Sequence, residues 1–130
     1  MSIRLPTTKS DTELAEQLST VPVEELSQHI PELLEWLQDW NWPVSRPIAA
    51  ALSRCGAELV EPVRTVLQSN DDIWKLWVLS GLLPNVNVVV RDALREEILR
   101  IARRPTAGEQ DEEADRAAKE LVPLLDANSR

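Results

Sequence analysis

Apolar residues in this chain recur at helical spacing, but nine prolines cut the pattern into short pieces. A chain patterned this way buries its apolar stripes only by packing many short helices on one another. The clearest stripe is Leu33, Trp36, Leu37 and Trp40, at i, i+3, i+4 and i+7 after Pro31. It predicts a helix from Pro31 to Trp40. Asn41-Trp42-Pro43 closes it, because the residue before a proline avoids the helical region.

The other segments follow the same logic. Ser10 with Glu13 fits a capping box ahead of Leu14, Ala15 and Leu18. Pro22 suits a first helical turn, followed by Leu26 and Ile30. Val44, Ile48, Ala51, Leu52 and Cys55 stripe the next helix, with Ser45 or its predecessor as cap and Gly56 as stop. Leu59 to Leu67 turns Val63, Val66 and Leu67 inward. Ile73 to Leu83 is apolar nearly all round, with Lys75 its one charge, as in a central helix covered on two sides. After a turn at Asn85–Asn87, a long helix runs from Val90 to about Ala102, and Pro105–Gly108 breaks the chain. Ala114, Ala117, Ala118, Leu121, Val122 and Leu125 form a last amphipathic helix. Val86–Val90 is β-branched but has no partner strand in sight, so the expected fold is all-α.

An internal echo spans about 30 residues. Ile30-Pro31-Glu32-Leu33 aligns with Val60-Glu61-Pro62-Val63, and Ala51-Leu52 with Gly81-Leu82. Each unit is a helical pair that must stack on its neighbour to bury its faces. The expectation is one domain over residues 1–130, a compact HEAT-like stack of antiparallel pairs, with residues 1–9 as a loose arm. A three-helix-bundle-like arrangement competes with it.

Composition narrows function by exclusion. A net charge of −8 argues against a nucleic-acid partner, which needs a basic footprint, and favours a basic protein. No run approaches the roughly 18 apolar residues of a membrane span, and the N-terminus lacks an apolar signal core, so a cytoplasmic protein without a membrane partner is expected. His29 and Cys55 are the only histidine and cysteine, which cannot build a closed zinc site. His29 reads as a cap or surface residue and Cys55 as a buried small hydrophobe. Three glycines leave no phosphate-binding loop, and neither cofactor nor metal is expected.

Carboxylates and tryptophans remain. All five tryptophans lie between Pro31 and Leu83, in a chain without Phe or Tyr. Trp36, Trp40 and Trp77 fall on inward stripes and read as core, whereas Trp42 and Trp74 fall off them. Glu35, Asp39, Asp71 and Asp72 stand near the indoles. Paired carboxylates could serve glycoside hydrolysis, but Asp71 and Asp72 open a helix, where capping favours Asp. Arg91, Arg95, Arg100, Arg103 and Arg104 are followed by Glu109, Asp111, Glu112, Glu113 and Asp115. These runs are expected to pair across the Pro105–Gly108 turn, or to leave an acidic patch for a cationic partner.

The segments P-E-L-L-E-W-L-Q-D-W-N-W-P-V, D-D-I-W-K-L-W-V-L-S-G-L-L-P and R-R-P-T-A-G-E-Q-D-E-E-A-D resemble a small bacterial family known as domain of unknown function 5071. The resemblance covers roughly Leu5 to Leu125. It implies a HEAT-like helical fold and no activity, cofactor or catalytic residue. Families of this kind are associated with neighbourhoods encoding bacterial toxins and their immunity proteins. The first expectation is therefore a non-catalytic protein-binding module, with an immunity or inhibitor role as its most concrete form. An adaptor or structural protein comes second and a carboxylate-dependent hydrolase last. The expected partner surface is Asp39, Trp42, Asp71, Asp72 and Trp74, gathered at consecutive helix starts and corners.

Overall fold

The computed structural model describes residues 4–125, and every regular element among them is helical. The helices are α1 (Thr12–Gln17), α2 (Val23–Leu26), α3 (Ile30–Glu35), α4 (Ser45–Leu52), α5 (Val60–Leu67), α6 (Asp72–Trp77), α7 (Val88–Ala93), α8 (Arg95–Arg103), α9 (Ala107–Asp111) and α10 (Ala114–Leu121). A 3-10 turn precedes α3 and another precedes α5, and the first residues of these helices, Ile30 and Val60, lie thirty positions apart. The helix α6 continues as a π-helical segment, Val78–Leu82. That combined element is central: it packs against α4 on one side and α10 on another, while α10 also lies along α8. Among the described residues no helix is long and apolar enough to cross a membrane.

The core is aliphatic. Leu26, Ile30, Leu33, Leu37, Ile48, Leu52, Leu59, Leu67, Leu79 and Leu82 are fully buried, and Cys55 joins them. Burial raises the Cys55 thiol above its usual pKa, against a hydrogen bond from Ser27 that lowers it. No tryptophan is fully buried: of those read as core, Trp36 and Trp40 are partly buried and packed against it, and Trp77 is partly buried. The helix α3 stops at Glu35, so Trp36 is its C-terminal cap and Trp40 falls beyond it, and both pack against the rim of the core. The Ser45 hydroxyl lies 2.6 Å from the Trp36 carbonyl and 2.7 Å from that of Asp39, and donates to one at a time. It satisfies carbonyls that a continuing helix would have bonded internally. The cap position of α4 falls to Val44, the predecessor of Ser45, which makes no side-chain cap bond, and Ser45 is the fully buried first residue of that helix.

Trp40 comes to rest on the central element. Its ring stacks on Trp77, with centroids 6.2 Å apart and planes 19° apart, and the Arg46 guanidinium lies 5.3 Å from its ring centre. A Cβ at Gly81 would collide with the Trp40 ring, so only glycine leaves room there.

Two further expectations are corrected. The capping box at Ser10 does not form: α1 begins at Thr12, and Asp11 before it makes no side-chain cap bond. The long helix after Val90 is two helices, broken at Leu94 (φ −101°, ψ 11°). Arg64 Nη2 donates to the Ala93 carbonyl at 2.9 Å, drawing that acceptor out of the helical ladder. The same arginine reaches Glu97 at 3.2 Å and also pairs with Glu61, which ties α5 to α8. Of the arm expected over residues 1–9, positions 1–3 lie outside the described residues. Beyond them Pro6 is buried, Leu5 packs on the core, and the Lys9 carbonyl accepts the Val44 N–H at 3.2 Å.

Candidate functional site

The five expected surface residues fall in three places. Asp71 caps α6, its carboxylate accepting the Trp74 N–H at 3.1 Å. Asp72, one residue on, turns to Lys75, with Oδ1 2.9 Å from Nζ. The Trp74 indole N–H donates to the Leu34 carbonyl at 2.9 Å. Its ring lines an apolar cleft of about 330 Å³ with Pro31, Pro62 and Val66, between α3 and α5. Asp39 accepts the Asn41 N–H at 2.9 Å, closing a turn that carries the chain from α3 towards α4.

Trp42 is on that turn and meets Trp36 edge-to-face, with centroids 5.8 Å apart and planes at 74°. These two indoles line a second groove, of about 480 Å³, whose walls include Leu5, Pro6, Leu33, Glu32 and Glu35. The local sequence explains the assembly. Glu32, Glu35 and Trp36 stand at i, i+3 and i+4 and so share one face of α3 and its end. The early stop of α3 then folds Trp42 back against Trp36. Trp42 and Trp74 therefore line separate grooves flanking one helix, the first with Leu33 and the second with Leu34.

A third constellation escaped the spacing of the sequence. Glu109 has no solvent exposure, and four donors surround its carboxylate. Lys75 Nζ lies 2.8 Å from Oε2. Arg100 binds both oxygens, at 2.8 and 2.6 Å. The Thr106 N–H donates to Oε1 at 2.8 Å, while the Thr106 hydroxyl accepts the Glu109 N–H at 3.1 Å, completing a capping box at the start of α9. Burial works to raise the Glu109 pKa, but the hydrogen bonds from Arg100, Lys75 and Thr106 overcome it and hold the group at about 2. The same pairing raises the Arg100 guanidinium above its usual value. Asp72 completes the knot through Lys75, and a Cβ at Gly108 would collide with the Asp72 carboxylate. Two signals were legible: Thr106 and Glu109 have capping-box spacing, and Lys75 is a lone charge in an apolar helix.

The segments D-D-I-W-K and R-R-P-T-A-G-E are thus two halves of one buried charge network, 34 residues apart at Lys75 and Glu109. Both lie within residues 4–122, which match a family model described as Domain of unknown function (DUF5071). The chain belongs to the DUF5071 family. No curated protein matches it.

In this DUF5071 protein the charge runs pair only in part across the Pro105–Gly108 turn. Arg100 crosses it to Glu109. Arg91 instead clamps the carbonyls of Leu83, Val86 and Leu124. Glu113 and Asp115 pair with Arg116 and Lys119 within the last helix. Arg103 and Arg104 are exposed and border a third, mixed-charge groove with Leu67, Leu99 and Glu96. His29 sits at the entry to α3, its Nδ1 3.8 Å from Glu32.

Proposed function

We propose that this DUF5071 protein is a cytoplasmic, non-catalytic module that binds a basic protein, with immunity to or inhibition of a toxin as the most concrete form of that role. One observation carries the proposal. From Ser10 to Ser45 the chain holds eight carboxylates, Asp11 through Asp39, and no lysine or arginine. Elsewhere acids and bases balance, so the whole formal charge of −8 resides in this stretch. The same stretch supplies both indoles and both glutamates of the Trp36–Trp42 groove. Clustered charge of one sign speeds encounter with an opposite partner, and tryptophan anchors supply affinity.

Two further points support the reading. Glu109, held at about 2 and saturated with donors, is a poor proton donor or acceptor near neutral pH, which weighs against carboxylate catalysis at the knot. The thirty-residue offset between α3 and α5, each behind a 3-10 turn, supports a compact HEAT-like stack of helical pairs. Such stacks bind proteins along continuous faces.

The test is affinity capture from the source organism, mass spectrometry, and calorimetry with the purified partner at low and high salt. The expected partner is basic, and its affinity falls as salt rises. A captured toxin whose activity the protein suppresses fixes the immunity role. A partner that is acidic, or bound independently of salt, rejects the proposal.

A further inference from the structure

We infer that the Trp36–Trp42 groove is a receptor for one arginine side chain presented by that basic partner. The inference deepens the protein-binding reading and rests on it. The two indoles meet edge-to-face at 74°, and both line the groove, so a flat cation can stack on a ring face there. A guanidinium suits this shape, because it stacks on aromatic faces and can still fork two N–H groups to a carboxylate. Glu32 and Glu35 supply such carboxylates on the groove wall, and both are exposed. Glu35 has no ion pair among the described residues, and the neighbour of Glu32 is the half-buried His29. Leu5, Pro6 and Leu33 offer apolar surface to the arginine stem. The protein makes the same kind of contact internally, where Arg46 lies over Trp40. The stretch between Ser10 and Ser45 holds no lysine or arginine, and among the described residues neither Arg4 nor Lys9 pairs with Glu32 or Glu35, so a basic partner is the source that fits.

The cleft beside Trp74 is a weaker receptor for a cation. Glu61, the one carboxylate among its lining residues, already pairs with Arg64.

The experiment uses the full chain labelled with nitrogen-15. Blocked tripeptides Gly-Arg-Gly, Gly-Lys-Gly and Gly-citrulline-Gly are titrated while the five indole N–H resonances, assigned through single Trp→Phe variants, are followed. The arginine peptide is expected to shift Trp36 and Trp42 saturably and leave Trp74 in place. The lysine peptide should bind at least threefold more weakly, and the citrulline peptide, neutral but nearly isosteric, at least tenfold more weakly. The double variant Glu32→Gln, Glu35→Gln should weaken arginine binding at least fivefold. The charge-matched control Glu112→Gln, Glu120→Gln should change it less than twofold. Unmoved Trp36 and Trp42 resonances, equal binding of citrulline or lysine, or equal weakening by the control would overturn the inference. A captured protein partner that binds the Glu32→Gln, Glu35→Gln variant undiminished rejects this site and leaves the module reading intact. Saturable arginine binding with no protein partner in the capture experiment supports the groove and removes the module reading.

Discussion

In one region of this protein Glu109 is sealed from solvent by Lys75, Arg100 and the start of α9; in another, Glu32 and Glu35 stand exposed beside Trp36 and Trp42. Both regions place acidic residues against a helix, and their fates differ because of where the bases are. The C-terminal half brings cations to its carboxylates, so its charges neutralise one another inside the fold. The stretch from Ser10 to Ser45 has no lysine or arginine of its own, and Glu32 and Glu35 stand exposed with no lysine or arginine paired to them among the described residues. Acidic motifs of similar look can therefore be structural or available, and the supply of internal counter-ions decides which.

Removing the knot should have the largest effect. Glu109→Ala leaves the buried Lys75 ammonium with Asp72 alone and removes the partner of Arg100, and is expected to cost about 3–5 kcal/mol in urea unfolding. Adding Lys75→Met should recover part of that loss, since the most deeply buried charge is then gone, while Arg100 and Asp72, which reach solvent, are left to water. A melt of Glu109→Ala matching the parent would make the knot as dispensable as the open groove.

The knot also sets an acid dependence. The folded-state pKa of Glu109 lies below its ordinary 4.5, at about 2. Its stabilisation is therefore complete above pH 4.5 and is lost as pH falls from there towards 2. Glu109→Gln should flatten the stability profile over that window, and an unchanged slope would place the acid sensitivity elsewhere.

Next in size comes Trp40, engaged by Trp77 and Arg46, in contrast to the groove indoles. Gly81→Ala drives a methyl into the Trp40 ring and is expected to cost about 1–3 kcal/mol. Trp40→Leu in the same background should relieve the clash, as read by thermal denaturation. Asp72→Asn keeps the shape but removes a half-exposed charge beside Lys75, and should cost about 1–2 kcal/mol. The smallest effect belongs to the groove. Glu32→Gln with Glu35→Gln should change stability by no more than about 0.5 kcal/mol, as exposed surface changes do. A loss approaching that of Glu109→Ala would mean that the groove carboxylates are structural and that the two regions do not differ in kind.

What could be read along the chain was whatever depends on near neighbours. Helical spacing and proline punctuation located the helical segments, and the apolar girth of Ile73–Leu83 marked the element that α4 and α10 cover. The burial of Cys55 followed from its stripe in the same way. The charge asymmetry of the N-terminal third is also a property of the sequence by itself.

Tertiary structure decided the rest, because the deciding partners are distant. The end of α3 is met by Ser45, nine residues beyond Trp36, so counting forward from Pro31 carried the helix too far and put Trp36 and Trp40 inside the core rather than at its rim. The break at Leu94 depends on Arg64, 29 residues from the Ala93 carbonyl it claims. Asp72 looks like a helix-start acid, and only the approach of α9 makes it part of a buried network. Trp42 and Trp74 look alike off their stripes, yet one indole N–H is spent on Leu34 while the other ring forms a corner with Trp36. Local spacing sets which residues can face inward; whether a charge or an indole is used up depends on which group folding places opposite it.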